Sequence, residues 1–460
     1  MENSSTILML SYHFYPSNEI GARRVTELAR YLSAHGVRVV VVSTFGDQPL
    51  APGAEILPGV IAIPVARPER AFLNALVRLK RSVAKRASVD LNIGSSEGRR
   101  RVERKVGIAD KVRDLYFRVL YFVDGSKRWA WRASKAAVSA CAKYDARLLV
   151  ASGPPPSALL AGALVAAKVD IPYVADLRDP WSDYVAVTYP NRRVELRLLR
   201  SLERWVMYRS AAVTSTGGDV AVLLKSRCPK LASRIHVVRN GYDGAVQVSS
   251  PQTAGRLSIL FAGELYVGRN PFPLLSGIEW LLARPDIDAA RIDVTFMGKV
   301  DVYAGQSLTA WMHGKRCASV VRLLPPQKPP AVQEAISRST LLLNLAQQQQ
   351  LSVPAKTFEQ LASGREILVL CEDDCETARL VSGISGVTQV DPANFDKLTD
   401  VLLDVYRRHV VNKALTAPGE TEVAQFSRTA ANEHFYRIFS SVAQLEPHSL
   451  RAAANSLFPK

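Results

Sequence analysis

Apolar runs about a strand long recur along this chain. They alternate with segments whose apolar positions fall three or four residues apart. "TILMLSY" leads through the loop "HFYPSNEIG" into the amphipathic "ARRVTELARYLSAHG" and then the run "VRVVVVST". Arg30, His35 and Gly36 predict the end of that helix, with bases in the last turn and a glycine just beyond it. Further on, "ARLLVAS", "SALLAGALVAAKV", "IPYVADL", "VELRLLRSLERWVMYRS", "AAVTST" and "RIHVVRNGYD" repeat the alternation. Strands that are apolar throughout belong in a parallel sheet covered on both faces.

A polar, Gly- and Ser-rich gap at about 241–255 interrupts the pattern, which then restarts. "RLSILFAG", "IDVTFMG", "VVRLLP", "STLLLNLA", "EILVLC" and "GVTQV" read as strands, with helices such as "LLSGIEWLLA", "PPAVQEAIS" and "FDKLTDVLLDVYRRHV" between them. The final "VAQFSRTAANEHFYRIFSSVAQ" is a helix with no strand after it. The expected class is α/β, with two Rossmann-like, doubly wound domains facing an interdomain cleft. Ligands in such sheets sit at the carboxyl ends of the strands. The expected domains are 1–245, with a basic insertion at about 67–128, and 256–415. Residues 416–460 form a last helix and tail.

A length of 460 residues agrees with two cores. The five cysteines (Cys141, Cys228, Cys317, Cys371, Cys375) are odd in number, and the Cys371–Cys375 spacing lacks a second pair to complete a zinc site. Free thiols in a reducing compartment are expected. The start "MENSSTILMLSYHF" has no basic leader, and "ALLAGALVAA" is about half a membrane span. The expectation is therefore a cytoplasmic or peripheral protein without a cleaved signal.

The net charge of +17 is unevenly spread, with 18 Lys and Arg against 7 Asp and Glu in residues 67–132. "RAFLNALVRLKRSVAKRA" places Phe72, Leu76, Leu79 and Val83 at helical spacing among Arg78, Lys80, Arg81, Lys85 and Arg86. "LYFRVLYFVDGSKRWAWR" adds exposed-looking aromatics. Bases with aromatics on an amphipathic helix suit an anionic membrane surface. A helix packed on its own domain with a solvated basic face is the alternative. No helix-turn-helix, RNA-binding aromatic motif or zinc module accompanies the high pI, so a nucleic-acid partner is not expected.

Neither first strand leads into a G-x-G-x-x-G fingerprint, and no Walker loop occurs. Gly21 opens the first helix, for either a tight turn or the close approach of a ligand. "DLRDPWSD" crowds Asp176, Arg178, Asp179 and Trp181 at a strand's carboxyl end, as a site or as a cap with a local ion pair. Arg269, six residues after Gly263, stands at the corresponding end in the second half. Asp286 and Asp288 lie on a helix-to-strand loop at the wrong end of the sheet and read as solvated. The stretch "NLAQQQQLSVPAKTFEQLASG" joins a strand to a helix that Pro354 can begin and Gly364 can end. Lys356 beside that helix N-terminus makes a phosphate site, with Glu359 one turn on for a ribose diol. The alternative is a surface ion pair.

"YHFYPSNEIGARRVTELARYLSAHGVRVVVVS", "SGPPPSALLAG", "DLRDPW", "RIHVVRNGYD" and "VPAKTFEQLASGREILVL" together resemble the retaining glycosyltransferases of family 4, most closely the branch that builds bacterial surface polysaccharides. The resemblance covers most of the chain outside about 67–128 and keeps the family's motif order. It implies the GT-B fold, with an acceptor-side first half, a donor-side second half and a last helix that crosses back. It also implies transfer of a sugar from a nucleotide diphosphate sugar, with retention and without a metal or other cofactor, to a lipid-linked or polysaccharide acceptor.

Carried onto this sequence, the resemblance gives Arg269 and Lys356 the diphosphate, although the family's usual arginine after the glycine is Glu264 here. Glu359 takes the ribose, and Gly21 approaches the donor phosphate or sugar. Arg178 and Asp179 take part in catalysis, and Asp176, Asp179, Trp181 and His13 line the acceptor side. The family's E-x7-E pair needs an acid at position 351, where Leu351 stands. Gln347 to Gln350 and Ser352 are offered instead, with Gln350 and Ser352 as donor contacts. Two other readings stay open: a non-catalytic nucleotide-sugar- or glycan-binding partner in a polysaccharide assembly complex, and a nucleotide-sugar 2-epimerase of the same fold.

Overall fold

A computed structural model of the chain describes residues 5–17, 19–67, 123–183, 193–247 and 255–444. Most of the basic segment (68–122) and the tail after 444 lie outside the described residues. The chain divides into two compact units. The first comprises Met1–Ser215, Leu224–His236 and Phe435–Lys460, and the second Thr216–Leu223 and Val237–His434. The division is interleaved, with the chain's last residues in the first unit.

The first unit is built on an eight-stranded sheet. Its strands are β1 (Thr6–Ser11), β2 (Arg38–Ser43), β3 (Glu55–Leu57), β4 (Val60–Pro64), β5 (Ala146–Ser152), β6 (Tyr173–Arg178), β7 (Ala212–Ser215) and β8 (Ile235–Val237). Their order across the sheet is β3-β4-β2-β1-β5-β6-β7-β8. Pairing is parallel from β4 through β7, and β3 runs antiparallel on β4. Every residue of β1 is buried, as its unbroken apolar run requires in a sheet covered on both faces. Helices α1 (Ile20–Ala34), α2 (Lys127–Lys143), α3 (Pro156–Ala166), α4 (Arg193–Arg209) and α5 (Gly218–Arg227) follow β1, β4, β5, β6 and β7 in turn, α5 beginning in the second unit and ending in the first. Helix α1 ends at His35, and Gly36 takes a left-handed φ of 78°, the ending that glycine there predicts. The pattern had not shown the β3–β4 hairpin or α2. Of the exposed-looking aromatics in α2, Trp129 is fully buried and Trp131 faces outward.

In the second unit six strands order as β13-β10-β9-β14-β15-β16, all parallel. They are β9 (Leu257–Glu264), β10 (Ile292–Lys299), β13 (Val321–Leu324), β14 (Leu341–Leu345), β15 (Glu366–Leu370) and β16 (Val387–Val390), with a separate two-stranded pair β11 (Val302–Tyr303) and β12 (Gln306–Ser307). Intervening helices are α6 (Phe272–Leu282), α7 (Leu308–Met312), α8 (Pro329–Arg338), α9 (Ala355–Leu361), α10 (Glu376–Val381), α11 (Phe395–Tyr406) and α12 (Glu420–Val423). Alternate strand residues feed opposite cores. Leu257, Ile259 and Phe261 pack with Leu341, Leu343 and Leu345, whereas Leu260 and Leu342 join Phe358 and Ile367.

Helix α13 (Arg428–Ala443) is divided between the units after His434. Phe435, in the first unit, lies 4.8 Å from the Arg24 guanidinium. Among the described residues no helix is long and apolar enough to cross a membrane.

Candidate functional site

Among the parallel strands the order of each sheet reverses once, between β1 and β5 in the first unit and between β9 and β14 in the second. Backbones diverge at such points, leaving a crevice beyond the strands' carboxyl ends.

In the first unit Gly21 lies in the first turn of α1. A Cβ built there would sit 3.6 Å from His13 Cδ2 and 3.7 Å from Arg178 Nη1, ordinary contact distances, so the protein itself has room for a methyl group. The three residues therefore meet at the ends of β1 and β6. Burial holds the His13 imidazole below its ordinary pKa. Glu19 opposes this, and Arg67 and Arg178 add to it. Its Nδ1 has no hydrogen-bond partner among the described residues. Arg178 adopts φ 56°, a left-handed conformation that costs a non-glycine residue energy. The β6–β7 register shifts between Asp176 and Arg178, so the strand end is re-aimed there. Asp179 is open to solvent yet surrounded by protein on most sides. Desolvation pushes its carboxyl above the ordinary value, Arg178 and Arg24 pull it down, and Asp176 pushes it up again.

Two residues expected on the acceptor side are not free to serve there. Asp176 is 3% exposed and accepts four hydrogen bonds: from Arg24 Nε and Nη2 at 3.1 Å each, Ser152 Oγ at 2.7 Å and Thr214 Oγ1 at 2.8 Å. Its carboxylate ties α1 to β5, β6 and β7. Burial alone would raise its pKa, but the charge and hydrogen bonds of Arg24, with Arg178 and Ser152, outweigh that and hold it low. Trp181 is 6% exposed and donates its indole N–H to Leu199 O at 3.4 Å, so it anchors α4. Arg24 escaped the sequence reading. The signal was a charged residue on the apolar face of α1, four before Leu28, which must pair inside.

In the second unit Lys356 reaches back from α9 and donates to Ala262 O, on β9. Arg269 folds over the Tyr266 ring, 4.3 Å from its centroid, and Nη1 donates to Glu264 O at 3.3 Å. Arg269 Nε is buried without a hydrogen-bond partner among the described residues. Both cations have lowered pKa values. For Lys356 the causes are burial and then Arg269, with Glu359 opposing. For Arg269 burial leads, and Tyr266 and Glu264 oppose it. Two partly desolvated like charges side by side make a site that an anion would relieve. A Cβ on Gly263 would stand 2.6 Å from Lys356 Nζ, so the bare backbone of β9 leaves room for the ammonium. Gly298 pairs with Gly263 on β10, with φ 135° and no space for a side chain.

The glutamine stretch is held by specific hydrogen bonds. Gln347 is buried, and its amide makes a two-way clamp on Asn270: Nε2 donates to Asn270 O at 3.0 Å and Oε1 accepts Asn270 N at 3.1 Å. Gln348, at φ 56°, donates its N–H to Glu372 Oε1 and Oε2 at 3.0 Å each. Gln350 is exposed and its carbonyl accepts Glu376 N at 3.2 Å, while Ser352 is half-buried with its N–H on Gln349 O at 3.4 Å. Glu359 is exposed one turn beyond Lys356. Pro354 is the extended residue before α9, not part of its first turn, and the helix ends at Ala362 before Gly364 turns the chain at φ 65°. So short a helix has little dipole, and the positive groups are the side chains of Lys356 and Arg269.

Other clusters are internal. Glu376, buried at the start of α10, accepts Gly218 N at 2.8 Å, Asp219 N at 2.6 Å and Arg239 Nη1 at 2.5 Å. The N-terminus of α5 is thereby capped by the protein's own carboxylate. Thr340, His409 and Glu366 form a hydroxyl–imidazole–carboxylate chain, with contacts of 3.1 and 2.6 Å. It is buried at the amino ends of β14 and β15, with Arg408 on the carboxylate, and so lies away from the crevice. Asp286 pairs with Arg284 and Asp288 accepts Ala290 N, as solvated loop acids do. No group of metal-ligating side chains occurs among the described residues.

Residues 93–245 match the family model described as Glycosyltransferase Family 4. The whole chain also matches solved structures. Sucrose-phosphate synthase from Thermosynechococcus elongatus is 11% identical at a TM-score of 0.59, covering 95% of this chain and 98% of that one. Trehalose 6-phosphate synthase from Burkholderia multivorans is 12% identical at 0.56, covering 99% of each chain. The fold is GT-B. Over residues 93–245, about a third of the chain, the sequence is similar to family 4 of the glycosyltransferases. A third GT-B structure, HepE from Anabaena in complex with UDP-glucose, is 12% identical at 0.56, covering 95% of this chain and 99% of that one. No curated protein sequence matches the chain.

Proposed function

We propose that this GT-B chain is a retaining glycosyltransferase. It moves a sugar from a nucleotide diphosphate sugar to a lipid-linked or polysaccharide acceptor in bacterial cell-surface glycan synthesis, at the cytoplasmic face of the membrane. The carrying observation is the juxtaposed, partly desolvated Lys356 and Arg269 at the end of β9. The HepE structure with UDP-glucose supports a nucleoside diphosphate sugar as donor.

In the proposed reaction the bond from the anomeric carbon to the diphosphate oxygen breaks, and the acceptor hydroxyl oxygen bonds to that carbon on the same face. The hydroxyl proton passes to the departing diphosphate. Lys356 and Arg269 carry the charge that develops there, and no metal is invoked. Glu359 takes the ribose, and Gln350 and Ser352 contact the donor sugar. Gly21 lets the donor approach α1 closely. Arg178 and Asp179 act on the acceptor side with His13, whose lowered pKa keeps an uncharged ring nitrogen available at neutral pH.

The test is a thermal-shift screen against nucleotide sugars. A cognate donor at a hundred times its dissociation constant adds about 2.7 kcal/mol of stability, and Lys356→Ala removes the gain. A screen in which no donor raises the melting temperature overturns the proposal. Leu351 in place of the family's acid favours one second reading, a donor-binding partner without chemistry. Donor binding without transfer or hydrolysis, on any lipid-linked or glycan acceptor tried, selects it.

A further inference from the structure

Helices α2, α3 and α4 form one continuous layer on the first unit's sheet. Helix α2 packs on β1, β2 and β5 and against α3, and α3 packs in turn on β5 and β6 and against α4. The outward face of this layer is both apolar and basic. Val194 is 70% exposed, Leu198 53% and Trp131 57%, with Leu164 and Tyr208 also standing out from it. Around them α2 exposes Arg128, Arg132 and Lys135, the last with its ammonium 3.7 Å from the Trp131 ring centroid. Helix α4 exposes Arg193, Arg197, Arg204 and Arg209. Neither α2 nor α3 contains an acid. Of the two in α4, Glu203 is buried on Ser182 and Glu195 is half-buried.

We infer that this α2–α3–α4 face is an anionic-lipid docking surface. The inference names the surface for the membrane part of the reading above and needs no catalytic step. Arginines on an outer helix face attract a negatively charged headgroup layer. Val194, Leu198 and Trp131 add what a soluble polyanion does not use, namely side chains that gain by entering the boundary between headgroups and acyl chains. A nucleic acid would match the arginines but leave Val194 and Leu198 in water.

The test is sedimentation of the full chain with phosphatidylcholine vesicles and with vesicles containing phosphatidylglycerol, without donor or acceptor. A failure of glycosyl transfer therefore leaves it untouched, and its own failure leaves transfer untouched. The parent should bind the anionic vesicles and not the neutral ones. Arg193→Gln, Arg197→Gln and Arg204→Gln together should weaken binding about a hundredfold, at about fivefold for each arginine. Val194→Ser with Leu198→Ser should weaken it further at high salt, where the charge term is screened. These side chains are exposed, so melting curves should match the parent.

Undiminished binding by the triple variant overturns the inference. So does a complete transfer of the effect to Arg99→Gln, Arg100→Gln and Arg101→Gln in the sequence's other basic stretch. Tighter binding to duplex DNA than to anionic vesicles, indifferent to the serine substitutions, overturns it in favour of a nucleic acid.

Discussion

Arg24 donates two hydrogen bonds to Asp176 in the core of the first unit, where neither charge has water to fall back on. Removing one member of such a pair strands the other, which costs about 3–5 kcal/mol. Arg24→Ala should therefore lower stability by that much in denaturant melts. The pH dependence has a definite sign. The folded carboxyl of Asp176 is depressed below its unfolded value of about 3.9. Its contribution is thus complete above that value and is lost as pH falls through the lower, folded one. Acid titration of the melting temperature should show this loss in the parent and not in Arg24→Ala. Gln347 acts through a neighbour. Its clamp on Asn270 fixes the loop that carries Arg269, and two hydrogen bonds at about 1 kcal/mol each are at stake. Gln347→Ala should raise the donor's KM about tenfold or more and leave the acceptor's unchanged. At Gly21 the protein tolerates a methyl, and alanine favours a helix by about 1 kcal/mol. Gly21→Ala should fold at least as well as the parent while turnover falls. Equal turnover would mean that no ligand approaches there.

At the scale of elements, the strands were legible because a buried parallel strand is apolar at every position, and little else in a sequence is. The runs read as β1, β2, β5, β6 and β9 appear at those positions within a residue or two. Helix α2 was harder to see, since its buried Trp129 and exposed Trp131 are the same residue type two positions apart. The short β3–β4 hairpin also carries too few residues for a pattern. For the candidate site, the sequence located strand ends correctly but could not tell what already occupied them. Asp176 and Trp181 looked available because Arg24 and Leu199, their partners, are distant in sequence. The clamp made by Gln347 was not legible, because it depends on an acceptor and donor 77 residues away.

At the scale of the molecule, two sheets have separate cores, and the chain passes between the units at residues 215, 223, 236 and 434. Separate cores predict departure from a single two-state transition in calorimetry. Arg24→Ala should lower the transition of the first unit. A nucleotide sugar should raise that of the second, because Lys356 and Arg269 both belong to it. A single transition moved equally by both would show that the units unfold as one.

The absence of a side chain at Gly263 has a consequence for what mutation can do to this protein. The nearest atom to a new Cβ is the free end of a flexible lysine, and the next is the edge of the Phe261 ring at 3.2 Å, so side chains and not backbone have to give. Alanine at this codon should still yield folded, abundant protein, but with the ammonium of Lys356 displaced. In a library sorted first for expression and then for transfer, Gly263→Ala should pass the first gate and fail the second as completely as Lys356→Ala. The contrasting case is Gly298, where a Cβ would come within 1.8 Å of Gly263 O and no backbone adjustment is small. Variants there should be lost at the first gate.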